Sequence, residues 1–211
     1  MMEYTIPEIL RGNLDDSVLL IQLFQAIHIL PISTTLSTFP FLDKPADHSL
    51  QHSLQRLQSY TALNEDYQIT PLGCLLSHLP LPIAHGYFLL LSILFNHPYD
   101  GALLCSSLTF QSLFLNRSPQ SSIELNHRHS FDCPEGDLLS NLFILHQFIQ
   151  TRHRYHSAYK WCSHRMLSYS NCMNCMNIVT QLLSILSSTH LLHKQSSSLI
   201  ERYFLLLFNL L

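Results

Sequence analysis

One short stretch fixes more of this chain's path than any other. Thr70 carries a hydroxyl suited to capping a helix, and Pro71 fits the first helical position, where its missing N–H is not needed. Leu72, Leu75, Leu76 and Leu79 then recur at helical spacing and define a buried side. Pro80 and Pro82 end the element, because the residue before each proline is pushed out of the helical region. Gly73, inside the helix, marks either a close approach to a neighbouring backbone or a tolerated small residue.

The segments before this turn read as helices joined by extended links. Pro7 sits in the first turn of a short helix that Gly12 and Asn13 end. Asp15 and Asp16 open a second helix, at the end where acidic groups are favoured, with Val18, Leu19, Leu23, Phe24 and Ile27 on one face. Residues 39–45 (Phe-Pro-Phe-Leu-Asp-Lys-Pro) form an extended connection, and Asp47 caps a third helix whose Leu50, Leu54 and Leu57 face inward. With the strand-like piece at residues 67–69, the order suits a winged-helix-like domain over residues 1–80.

Beyond Pro80 the pattern stays helical. Residues 83–95 and 102–114 are two apolar helices separated by a link at 96–101, and residues 116–136 read as a surface loop. Asp137 caps a helix carrying Leu138, Leu142, Leu145, Phe148 and Ile149 inward, and further helices cover 159–167 and 172–186. The expectation is a mainly α fold: a winged-helix domain, then a helical bundle over residues 81–186, then an atypical tail at 187–211.

Charge and cysteine usage limit the partners. Only 12% of the residues are charged, about half the usual share, so the surface is one that gains from a partner. Residues 1–115 carry 3 basic and 9 acidic residues, whereas residues 116–176 carry 6 basic and 4 acidic, so a polyanion should prefer the middle of the chain. The absence of a secretory pattern beside six cysteines points to an intracellular protein, cytoplasmic or nuclear, with reduced thiols. The apolar stretches 79–95 and 199–211 both fall short of the about 20 residues of a membrane span, so no membrane partner is expected.

Taken in order, these pieces resemble the region that follows the motor core of DEAH-box RNA helicases. The matching residues are Pro7-Glu8-Ile9 with Arg11 and Leu14, the 39–45 segment, Ala62-Leu63, Thr70-Pro71-Leu72-Gly73, Leu79-Pro80-Leu81, Gly136-Asp137, and Trp161-Cys162 with Leu167. The wording at Phe39-Pro40-Phe41 and Cys133-Pro134-Glu135-Gly136-Asp137 is similar in particular to the animal member associated with nonsense-mediated mRNA decay.

The resemblance implies a winged-helix hub and a ratchet bundle beside a single-stranded RNA channel, both served by a RecA-like motor in cis or in trans. Ribonucleoprotein or mRNA-decay proteins are further implied partners. ATP and Mg2+ belong to a complete helicase. This sequence has no Gly-Lys-Ser/Thr loop to cradle a triphosphate and no Asp-Glu-x-His stretch to hold the metal, so no cofactor and no catalytic residue are expected in it. A piece of a longer helicase is the expected origin, with a free-standing interaction scaffold or an inactive truncated product as the alternatives.

Within that frame, Arg152, Arg154, Lys160 and Arg165 are the candidates for phosphate contact, and His153, Tyr155, Tyr159 and Trp161 for stacking on bases. The same residues also suit the solvated end of one helix and its packing on the next. Arg11, Asp43, Thr70, Pro71, Gly73, Pro80, Asp137 and Trp161 read as architectural or interdomain positions. Cys162, His164, Cys172 and Cys175 have the donor chemistry of a zinc site, but no metal is expected because Cys172 and Cys175 lie in a helix.

Overall fold

The computed structural model describes residues 7–31, 34–115, 122–154, 158–189 and 191. Among these lie ten helices: α1 Glu8–Arg11, α2 Asp15–Ala26, α3 Asp47–Ser59, α4 Pro71–Ser77 and α5 Ile83–Leu94, then α6 Pro98–Ser107, α7 Ser122–His129, α8 Asp137–Arg154, α9 Ala158–His164 and α10 Tyr169–Ser188. Extended pairing among the described residues is confined to two isolated antiparallel bridges, Leu63 with Ile69 and Phe114 with Leu167. The fold is mainly α, as expected, a winged-helix-like region followed by a helical bundle. The chain forms two compact units, Met1–Tyr87 and Phe88–Leu211, whose division falls within α5 rather than at Pro80.

In the first unit α2 packs on α3 and α4. Its core gathers Val18, Leu19 and Ile21 with Leu50, Leu57, Leu63 and Leu76. The Thr70 turn locks this packing. Its hydroxyl oxygen accepts from the Gly73 N–H at 3.0 Å while its own hydrogen is directed at the Thr61 and Ala62 carbonyls. The Thr70 N–H donates to the Ala62 carbonyl at 3.0 Å. A Cβ on Gly73 would stand 2.2 Å from that same carbonyl oxygen and 2.8 Å from Ile69 Cγ1, which resolves the role of this glycine as close approach.

In the second unit α6 is buried from Gly101 to Ser107, with Tyr99 and Asp100 half-buried in its first turn, and packs against α8 and α10. Its small residues permit this, since a Cβ at Gly101 would fall 2.0 Å from Ser92 Oγ. Around it lie Ile144, Leu145 and Phe148 of α8 and Cys172, Cys175, Val179, Leu182 and Leu183 of α10. The Phe114–Leu167 bridge is closed by Leu115 N–H to Met166 O and Ser168 N–H to Leu113 O, at 2.7 and 2.8 Å. Ser168 then caps α10 by accepting from Asn171 N–H.

Four helices stop in the same way without glycine. His28, Thr61, Asn96 and Met166 hold φ between 54° and 62° just beyond α2, α3, α5 and α9. In each case the next N–H reaches back to a carbonyl five residues earlier, as in Ala62 to Leu57 and Leu167 to Cys162, both at 2.9 Å.

Several expectations need correction. The link at 96–101 is mostly the first turn of α6, with Pro98 at its start. Residues 122–129, assigned to a surface loop, form α7. Asp47 and Asp137 are the first helical residues of α3 and α8 rather than caps, and Pro7 stands just outside α1 as its cap position. Leu138 and Ile27 lie on exposed positions, 36% and 52% accessible, because each sits at a helix end past the packed face. Of the tail expected at 187–211, Ser187 and Ser188 close α10 while residues 190 and 192–211 lie outside the described residues, and no described helix is long and apolar enough to cross a membrane.

Two outcomes follow for stability. Gly73→Ala should cost about 1–3 kcal/mol or more, since backbone rather than a flexible side chain meets the new methyl; a urea midpoint that stays unchanged would refute the interlock. The Asp100 carboxyl, bonded to His146 Nε2 at 2.9 Å and paired with His97 Nδ1 at 3.3 Å, is held below its ordinary value, first by the His146 hydrogen bond. Its contribution is therefore complete above the unfolded carboxylate value of about 3.9 and is lost as pH falls through the lower folded value. Asp100→Asn should lower stability at pH 6 by about 0.5–1 kcal/mol, the half-exposed pair being screened, with the gap from the parent closing in strong acid.

Candidate nucleic-acid interface

Of the basic and aromatic residues singled out in the sequence, Tyr159, Lys160 and Trp161 lie on α9 and Arg165 just after it. Lys160 is exposed, and Tyr159 beside it is 68% exposed, with its ring centroid 5.7 Å from that of Tyr169. Trp161 packs inward on Phe131 and Phe148, with ring centroids at 6.1 and 6.4 Å. The Arg165 guanidinium lies over the indole at 4.9 Å. One face of that guanidinium is thereby used, while its edge keeps the planar array of N–H donors that suits a phosphate.

Arg152 is half-buried in the last turn of α8, which packs on α9. The side chains of His153 and Arg154 and all of Tyr155 lie outside the described residues. The described part thus supplies Lys160 and the accessible ring of Tyr159 on α9, Arg165 just after it and Arg152 at the end of α8. Such a surface can neutralise backbone phosphate and stack a base without reading sequence. Trp161 is half-buried, packing α9 against Phe148 of α8 and carrying Arg165 over its ring.

Of the architectural positions, Thr70, Pro71 and Gly73 form the interlocked turn, whereas Arg11, Asp43 and Asp137 are exposed and Trp161 lies in the aromatic cluster of the second unit. Pro80 is exposed and borders an apolar groove of about 380 Å³ with Asp16, Leu19, Leu20, Leu76 and Leu81. Asp16 on its rim has its carboxyl pushed up, first by burial and then by neighbouring Asp15.

Sequence reasoning missed the polar clamp behind that groove. Arg56 of α3 donates Nε to both oxygens of Asp15, at 3.2 and 3.0 Å, and Nη2 to Asp15 Oδ1 at 2.9 Å. The same Nη2 reaches Asn13 Oδ1 at 2.7 Å, and Asn13 returns a bond from Nδ2 to Asp15 Oδ2. Asp15 is 4% exposed, so this is the charge compensation of a buried carboxylate. The available signal was an acidic pair at a helix start beside a lone arginine 41 positions on; nothing local links them.

The cysteines do not assemble a site. Cys162, Cys172 and Cys175 are buried while His164 is exposed. The Cys172 thiol is pushed up by its hydrogen bond with Cys162 and then by burial, and burial pushes Cys175 up to about 11. Among the described residues no three His, Cys, Asp or Glu gather to hold a metal ion.

Comparison with known proteins bears on these elements. Residues 53–81 match the family described as helicase associated domain (HA2), winged-helix, covering the second half of α3, the Thr70 turn and α4. The chain is 28% identical to the human probable ATP-dependent RNA helicase DHX34 over 191 residues, which is 90% of this chain and 16% of that protein. It is 29% identical to the mouse ATP-dependent RNA helicase homolog DQX1 over 151 residues, 72% of this chain and 20% of that protein. With the human probable ATP-dependent RNA helicase DHX35 it shares 25% over 193 residues, 91% of this chain and 26% of that protein. The chain therefore carries a helicase-associated winged-helix region related to those of RNA helicases, and spans about a sixth to a quarter of the length of these relatives.

Removing the arginine of the clamp leaves a buried carboxylate without its cation. Arg56→Ala should destabilise by on the order of 2 kcal/mol, less than a fully buried pair because the guanidinium is half exposed. Asp15→Asn combined with Arg56→Ala should recover part of that loss in chemical denaturation; a double variant as weak as the sum of the two singles would contradict the pairing.

Proposed function

We propose that this chain is the module of a DEAH-box RNA helicase that couples a RecA-like motor to single-stranded RNA, without a covalent step of its own. The observation that carries the reading is the coincidence of the helicase-associated match at 53–81 with the most tightly interlocked turn of the first unit. A hub that transmits motor movement needs such a stiff junction, since a soft one would dissipate a displacement instead of passing it on. ATP and Mg2+ would act on the motor, not on residues of this chain.

In the second unit, RNA would meet Lys160 and Tyr159 on α9 and Arg165 just after it, with Arg152 and Arg154 at the end of α8 and Tyr155, next in sequence, as further candidates. Affinity would be electrostatic, so it would fall with salt and would not depend on base sequence. Ribonucleoprotein or mRNA-decay proteins are the partner class for the remaining surface.

A second reading, a free-standing protein-interaction scaffold, is favoured by one observation: Leu94 and Phe95 at the end of α5 are 80% and 75% exposed, and Leu42 is fully exposed.

Fluorescence anisotropy with a labelled 12-nucleotide oligouridylate at two salt concentrations separates these readings. On the RNA reading, binding weakens steeply with salt, and Lys160→Ala or Arg165→Ala each lowers the logarithmic salt slope by about one. Salt-insensitive binding, or slopes unmoved by both substitutions, would overturn RNA contact at α9 and leave the scaffold.

A further inference from the structure

α3 carries a pair of side chains that neither the fold nor the RNA reading uses. Its buried residues are Leu50, Ser53 and Leu57, with Leu54 half-buried, and its one cation is committed to Asp15. On the solvent side, His48 and His52 are both exposed and stand four residues apart in a regular helix, with ring centroids 6.5 Å apart and planes at 81°. Residues at i and i+4 lie one above the other on the same helix face. Two imidazoles in that relation are the minimal helical chelate for a borderline-soft divalent ion, because rotation about their side-chain bonds brings one nitrogen of each within the about 2.0–2.1 Å of a metal–nitrogen bond.

We propose that His48 and His52 form a two-ligand site for one divalent transition-metal ion, binding Cu2+ in preference to Zn2+. Neutral imidazole is the ligand class that copper and zinc accept, and at a site without imposed geometry the ordinary order of divalent affinities places Cu2+ above Zn2+. No third His, Cys, Asp or Glu joins them among the described residues. The nearest acid in sequence, Asp47, is paired with Lys44 at 3.3 Å. The ion therefore keeps open positions for water or for a donor atom of another molecule. The backbone at this point is already helical, so binding costs only the freezing of two exposed side chains.

The site is independent of the RNA reading and is tested separately, with the metal alone as probe. Isothermal titration of CuCl2, then ZnCl2, into the full chain in a non-coordinating buffer is compared with His48→Ala, His52→Ala and the double variant. Both positions are solvent-exposed on a helix, so alanine keeps the fold, which circular dichroism checks. The expected result is a tightest Cu2+ class that weakens at least tenfold in either single variant and no further in the double, the non-additivity of a chelate. Zn2+ should occupy the same class more weakly. Because the chain holds 14 histidines, other metal-binding classes are expected as background, and these remain in all three variants. A tightest class unmoved by either substitution, or losses that simply add, would overturn the proposal.

Discussion

The contact between Gly73 and the Ala62 carbonyl is the constraint on which the first unit turns. That oxygen receives the Thr70 N–H and the Thr70 hydroxyl, and it lies where any side chain at position 73 would have to stand. Bringing two backbones this close fixes the Leu63–Ile69 bridge and sets the angle at which α4 leaves the turn. With α4 fixed, Leu76 and Leu79 are delivered to the core, and Gly86 in α5 can approach them, a Cβ there lying 3.1 Å from Leu76 Cδ2. Hydrophobic burial supplies the stabilisation of this unit, but the geometry that makes the burial one arrangement and not several comes from a carbonyl and a missing methyl.

The second unit is organised by a different rule. Its centre is a helix, α6, whose small and apolar residues from Gly101 to Ser107 are all buried, leaving only its first turn partly open to solvent. Ser106 and Ser107 are tolerated there because each hydroxyl returns to a carbonyl three residues earlier in its own helix. Outside that helix the aromatic residues from Phe131 to Tyr169 form a continuous set of ring contacts, and the basic groups of α9 sit on its outer edge. Arg165 lies over the Trp161 ring of this cluster, as Arg128 lies over Phe114.

What could be read from sequence was whatever is encoded locally. The Thr70 cap, Pro71, the start of α2 at Asp15 and the periodic face of α3 needed only neighbours within a few residues. The first turn of α6 was lost because Pro98, Asp100 and Gly101 read equally as a turn; burial against Ser92 decides for helix, and Ser92 lies in another element. α7 was lost because its histidines and acid give no strong apolar stripe. The Arg56–Asp15 clamp spans 41 residues, and no periodicity reports such a pairing. At the candidate interface, residue types pointed to cations and rings, but not to which ring faces inward: Trp161 is spent on packing, and Tyr159 is the one left outside.

The glycine-free helix ends carry a consequence of their own. A left-handed stop at glycine is a local instruction, available to the chain before anything else has formed. Here the stops stand at histidine, threonine, asparagine and methionine, of which asparagine and histidine take that conformation more readily than the other two. The remaining stops are imposed from outside, by what packs against the residues that follow. Ala62 and Leu167, the residues after two of the stops, are both buried. Helix length in this chain is thus an outcome of assembly, so that the turns and the core must form, and fail, together.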